Sequence, residues 1–372
     1  MIRSSATLGG ATFLAAPGKR KYGGRALLGV ILVGITFAGC DYHAPVIGQE
    51  DVLVILVSDE DRPLLEPLLT EIFGRELATP APEPYFKILW ASPDKFETYQ
   101  RYKNLIIASL SYPADSTGDV LVRKILGKER VATAMAGGNP IFLATDYLAD
   151  GQIFMGLTAL DAIHAQRELF ARKSWIFEQF DHQLGVRQSK VVYRHGEQKS
   201  LIREMEEKYG WGLRIQNDYL VIREKPEENF VWLGRGYPYR WLSVHWVERS
   251  DTARISPEWG WQHMEYIADR LFADIYVDSL FRSAEAGMEN GHNILILRGV
   301  WGHKQQVSGG PFFTYVFRDV QQNRIYFITG LVFNPGGSKT LLVRRQEVIA
   351  RTFHTFSKPP VTVRRISKED LI

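Results

Sequence analysis

The chain holds one cysteine, nine histidines and a normal share of carboxylates. Any nucleophilic, metal or acid–base chemistry has to draw on these groups. The lone cysteine, Cys40, has no internal disulfide partner, so stability must come from an ordinary core. His263-Met264-Glu265 comes nearest to a metal motif. A zincin helix needs a second histidine four residues on, and that position is Ile267. The other histidines are scattered at 43, 164, 182, 195, 245, 292, 303 and 354, with no pair at the spacing of one helical site. His263 is therefore expected on a polar face, and no metal or cofactor is assigned. Asn334-Pro335-Gly336-Gly337-Ser338-Lys339-Thr340 lacks the Gly-Lys-Ser/Thr of a phosphate loop. It predicts a turn into a helix, with Ser338 or its neighbours satisfying free amides. No Gly-x-Ser-x-Gly elbow occurs. No catalytic residue is assigned, and the chain is not expected to be an enzyme.

Binding chemistry is better represented. Seven of the nine tryptophans follow residue 200. Tyr237, Tyr239 and Trp241 sit beside Gly234 and Gly236, just before an apolar strand. Tyrosine and tryptophan combine an apolar ring with a polar tip, which suits a half-wet contact surface. These three are the candidate border of a shallow groove. Trp241 is expected to be the exposed member, because its strand face also carries Ser243 and His245. Arg298 lies among strand residues. If buried it needs a carboxylate, Asp319 or Glu347, and the pair would be structural or would receive an anion. Gly309-Gly310-Pro311 is read as backbone geometry: glycine for close packing, proline for strand entry.

These elements sit behind a leader. Lys19, Arg20, Lys21 and Arg25 precede the apolar run from Ala26 to Phe37, and Ala38-Gly39-Cys40 follows. Charge, apolar segment and small residues are the order of a secretory signal peptide. The ending resembles the lipobox of bacterial lipoproteins, with Phe37 where leucine is usual. The resemblance implies acylation of Cys40, such as palmitate, and cleavage after Gly39. The apolar run is shorter than the roughly 20 residues of a spanning helix. Several acyl chains on one residue anchor stably. The expectation is an exported protein of the bacterial envelope, lipid-anchored on the periplasmic face of a membrane or at the cell surface. The formal net charge of +3 includes the leader, which leaves the body near neutral and argues against nucleic acid as a partner.

The rest divides into residues 40–50 as a tether, 51–185 as an α/β-like part, 186–356 as an antiparallel α+β part and 357–372 as a loose tail. Val52 to Val57 and Leu105 to Leu110 are continuous apolar runs that suit strands covered on both faces. Asp61-Arg62-Pro63 opens a helix to about Phe73. Phe86 to Trp90, Val131 to Ala134 and Ile141 to Thr145 are read as strands, and Pro93 to Tyr102 as a helix. Thr158 to Leu184 is read as one helix with Ile163, Phe170, Phe177 and Leu184 along its stripe. Strands follow near Tyr219, Asn229, Arg240, Ile294, Phe312 and Ile325. Ser256-Pro257-Glu258 starts a helix with Met264, Ile267 and Leu271 inward. Lys339 to Phe356 closes the fold. The class is α+β: an α/β-like N-terminal part followed by an antiparallel sheet with packed helices. Trp232, Trp301, Phe313 and Phe333 are expected in one core.

The C-terminal half carries an ordered series. Asn229-Phe230-Val231-Trp232-Leu233 precedes Leu297-Arg298-Gly299-Val300-Trp301, then Gly309-Gly310-Pro311-Phe312-Phe313-Thr314-Tyr315. Gly330-Leu331-Val332-Phe333-Asn334-Pro335 and Arg344-Arg345-Gln346-Glu347-Val348-Ile349 complete it. The series resembles the envelope lipoprotein family catalogued as domain of unknown function 4837, over about Val52 to Phe356. The resemblance implies a location and a fold, with no activity, cofactor or catalytic residue. Two functions follow as expectations. One is a non-catalytic, lipid-anchored protein that binds an envelope glycan or protein partner. The other is an envelope hydrolase acting on glycan or peptide with dispersed carboxylates.

Overall fold

The computed structural model describes residues 44–79, 81–112, 116–248, 255–272, 274–289 and 291–356. The leader, Cys40 and the 357–372 tail lie outside them. Two sheets organise the chain. The first holds β1 (Val52–Leu56), β2 (Lys87–Ala91), β3 (Asn104–Leu110), β4 (Ile141–Thr145) and β5 (Ile153–Ala159). Their spatial order is β2-β1-β3-β5-β4, parallel except for β4. Every residue of β3 and β5 is buried, as expected for strands with helices on both faces.

One face packs on α1 (Arg62–Phe73), α4 (Ala162–Ala171) and α5 (Lys173–Val192). The other packs on α2 (Ser116–Leu126) and α3 (Lys128–Met135). Val131 and Ala134 are thus one turn apart on a helix rather than on a strand. Pro93 to Tyr102 holds only short turns, Pro93–Lys95 and Phe96–Tyr99. The single helix expected over Thr158 to Leu184 is three elements. Thr158 ends β5, and the Asp161 side chain caps α4 by accepting from the His164 amide at 2.8 Å. The chain then breaks at Arg172. That break turns the stripe, so Phe177 and Leu184 are buried while Ile163 is 76% exposed. Asp61 opens α1 without capping it. Its Oδ2 instead accepts from the Leu110 amide at 2.9 Å, tying the helix start to the end of β3.

After α6 (Lys199–Tyr209) come β6 (Leu220–Lys225), β7 (Phe230–Arg235), β8 (Tyr239–Glu248), α7 (Pro257–Tyr266) and β9 (Ile275–Val277). Next are β10 (Ser283–Glu289), β11 (His292–His303), β12 (Gly309–Asp319), β13 (Arg324–Phe333) and α8 (Thr340–Ala350). The antiparallel order is β9-β11-β12-β13-β8-β7-β6, with β10 also on β11. Alternation along each strand gives this sheet two apolar faces. Leu242, Val244 and Trp246 join the main core with α5 and α8. Trp241 and Val247 face a second core under α7, where Met264, Ile267 and Leu271 point inward. Trp232, Trp301 and Phe333 belong to that second core, but Phe313 lies on the opposite face in the main core. The closing helix ends at Ala350, and His354–Thr355 pairs with Trp211–Gly212 instead. Among the described residues no helix is long and apolar enough to cross a membrane.

Candidate binding surfaces on the C-terminal sheet

The hairpin of β7 and β8 places the aromatic trio. Its turn, Gly236 to Pro238, contains a cis Tyr237-Pro238 peptide. Strand alternation sends Tyr239 and Trp241 to the α7 face and Arg240 to the other. The Tyr239 ring lies near-parallel to Trp241, with centroids 5.8 Å apart, and to Phe333 across the strands at 5.9 Å. Tyr237 meets it edge-on at 6.0 Å. Trp241 goes on to contact Trp232 and Trp301. It can lie flat because Gly234 is its cross-strand partner, where a Cβ would stand 2.4 Å from the indole. The result is a row of rings that begins in the core and ends in solvent. Tyr237 is 64% exposed and Tyr239 39%, while Trp241 is half-buried. The exposed end is therefore the tyrosines, not Trp241.

Farther along the same face, Ser243 and His245 are buried. The face that looked polar in sequence is covered by α7. His245 Nε2 stands 3.0 Å from His263 Nε2, and its Nδ1 stands 3.1 Å from the Asn229 carbonyl. A carbonyl only accepts, so Nδ1 carries the proton and Nε2 accepts from His263. Burial, then the neighbouring His263, lowers the His245 pKa to about 3. The second histidine missing from the helical motif thus arrives from a strand. Trp259 and Phe327 stack on His263, and the pair lines an open pocket with Glu228, Glu248 and Tyr266. Among the described residues no group of three His, Cys, Asp or Glu could hold a metal ion.

Arg298 lies on the opposite face from the trio. Its Nη1 is 2.5 Å from Glu347 Oε1 on α8, and its Nε is 3.4 Å from Glu285. Asp319 is engaged elsewhere, accepting from the Gln322 amide and the Thr355 hydroxyl. Burial pushes Glu347 upward, but Arg298, Arg344 and Arg351 outweigh it and hold its pKa below the usual carboxylate range. Arg344 also pairs with Asp181 of α5, so this network joins sheet, closing helix and α5. The start of α8 is capped from afar. Glu83 Oε2 accepts from the amides of Lys339 at 2.7 Å and Thr340 at 3.1 Å, and from the Ser338 hydroxyl. Ser338, the cap expected from sequence, is a donor to the real one.

The architecture is that of an α+β protein with two sheets, whose C-terminal sheet carries an aromatic row and a buried ionic network. Residues 198 to 352 match the family described as Domain of unknown function (DUF4837). That span takes in α6 through α8 and every strand of the antiparallel sheet. It does not reach the N-terminal sheet, which the resemblance had included. No curated protein matches the chain. Among solved structures it is similar to one from Bacteroides thetaiotaomicron, at 8% identity over 40% of this chain and 46% of that one, so it spans about half of that chain. It is also similar to the Saccharomyces cerevisiae Ran-binding protein Mog1p, at 13% identity over 40% and 91%. A Mog1 mutant matches at 13% over 39% and 90%. All three stand at a TM-score of 0.27, too slight a likeness to speak for fold or activity.

Proposed function

We propose that this is a lipid-anchored protein of the bacterial envelope that works by binding a glycan, without catalysis. The row Tyr237, Tyr239, Trp241 carries the reading. Its inner rings are fixed by packing against Phe333, Trp232 and Trp301, and its outer rings keep a free surface. Such a platform loses little side-chain entropy when a sugar ring stacks on it. The leader and Cys40 supply the location. The test is made in intact cells. The protein should take up a fatty-acid analogue, lose the label in Cys40→Ala, and crosslink to glycan through a photoreactive residue at position 237. An unlabelled native protein refutes the anchor. Crosslinks to protein alone refute the glycan.

A further inference from the structure

Strand β12 sends Phe313, Tyr315 and Phe317 into the main core and Val316 into the second core under α7. Alternation puts Arg318 on the side of Val316. Val316 stands opposite Leu295 of β11, and Leu295 stands opposite Ala286 of β10. Helix α7 presses on the inner part of this face, where a Cβ on Gly260 would stand 2.9 Å from the Leu295 side chain. It leaves β10 open, and Ala284 and Ala286 are exposed. Between these strands and Ile255 and Pro257, at the start of α7, runs a groove of about 610 Å³. That is the size of a small-molecule site. Arg318 lines it. The hydrogen-bond partner of its guanidinium among the described residues is Asn323 Oδ1, at a long 3.4 Å, and no carboxylate of those residues pairs with it. The groove's own carboxylate, Glu285, is turned to Arg298 at 3.4 Å. His292, also on the wall, lies against Phe317 at 5.1 Å.

The groove therefore offers apolar walls and one guanidinium that no acid group of the described residues answers. Its complement is a molecule with a hydrocarbon body and a single acid group. Apolar surface left open in this way marks a binding site, and a guanidinium fork matches the two oxygens of a carboxylate. We propose that the groove binds a long-chain carboxylate, with its acid group on Arg318 and its chain over Ala286, Leu295 and Val316. The site uses neither the aromatic row nor Cys40, so it stands or falls apart from the glycan reading.

Full-length protein in nonionic detergent should be photolabelled with a diazirine-bearing dodecanoic acid, and the labelled peptides mapped by mass spectrometry. Label should fall on peptides of β10, β11 and β12. Dodecanoate should compete for it about tenfold better than dodecanol, which has the same chain without the charge. Arg318→Gln should lose that preference for acid over alcohol. Ala286→Trp, a change at an exposed position, should fill the groove and lose the label, and it carries the test if Arg318→Gln does not fold. Label confined to other peptides overturns the site. So does equal competition by dodecanol in the native chain, label that dodecanoate does not displace, or labelling unchanged in both variants.

Discussion

Arg298 of β11 and Glu347 of α8 meet at 2.5 Å across the boundary between the antiparallel sheet and the closing helix. Glu347 is buried and Arg298 largely covered, so the pair specifies how α8 seats rather than adding simple stability. Replacing Glu347 leaves Arg298 with only the more distant Glu285, at 3.4 Å. Glu347→Gln should cost about 3–5 kcal/mol in urea unfolding. Arg298→Met with Glu347→Leu should cost less than Glu347→Gln alone. A double variant as unstable as the sum of its singles would mean that the two act separately.

His245 gives the fold a pH dependence. Its pKa falls from 6.5 to about 3 on folding. The unfolded chain therefore binds more protons between these values, and stability falls as pH falls through that window. Unfolding midpoints measured from pH 7 to pH 3 should decline from near the upper value downward. His245→Phe should flatten the decline. An equal slope in the variant would place the titration elsewhere.

Glu83 caps α8 from 256 residues away in the chain. Burial raises its pKa, but the Lys339 amide, the Ser338 hydroxyl and the Thr340 amide outweigh this and lower it. Its contribution is present above the unfolded pKa and is lost as pH falls through the folded value. Glu83→Ala should cost about 0.5–2 kcal/mol, the range for losing a cap. Hydrogen exchange should quicken at Lys339 and Thr340 ahead of other helix starts. Uniform exchange would remove Glu83 from this role.

Gly310 has no room for a side chain. A Cβ there would stand 2.1 Å from the Val332 carbonyl oxygen, and the Trp301 indole donates to that same oxygen at 3.2 Å. Gly310→Ala should destabilise strongly, whereas Trp301→Phe should lose about 1 kcal/mol for the hydrogen bond. Trp301→Ala should lose about 3–5 kcal/mol. Thermal melts of the three variants rank these effects.

Strands covered on both faces were legible because their apolar runs leave no other reading. Strand β10 was not, since Ser-Ala-Glu-Ala-Gly-Met-Glu alternates mostly small residues with polar ones and is largely exposed. The helix stripe from Ile163 to Leu184 misled because a seven-residue repeat does not show a break such as that at Arg172. Alternation did place Trp241, Ser243 and His245 on one face. What it could not give was the cover over Ser243 and His245, which depends on where α7 packs. The Glu347 partner of Arg298 was among two named options. The Glu83 cap and the histidine pair are meetings of distant segments and leave no local trace.

Binding by the aromatic row is the central claim, and tryptophan fluorescence reads it directly, because the Trp241 ring stacks on Tyr239. Full-length protein in detergent should be titrated with envelope glycan fragments, alongside a Tyr237→Ala, Tyr239→Ala double variant. The account predicts a saturable change in the native protein and a loss of about five- to thirtyfold in affinity in the variant, as removal of two stacking rings would give at about 1–2 kcal/mol. No response to any fragment, or the same response from both proteins, would contradict it.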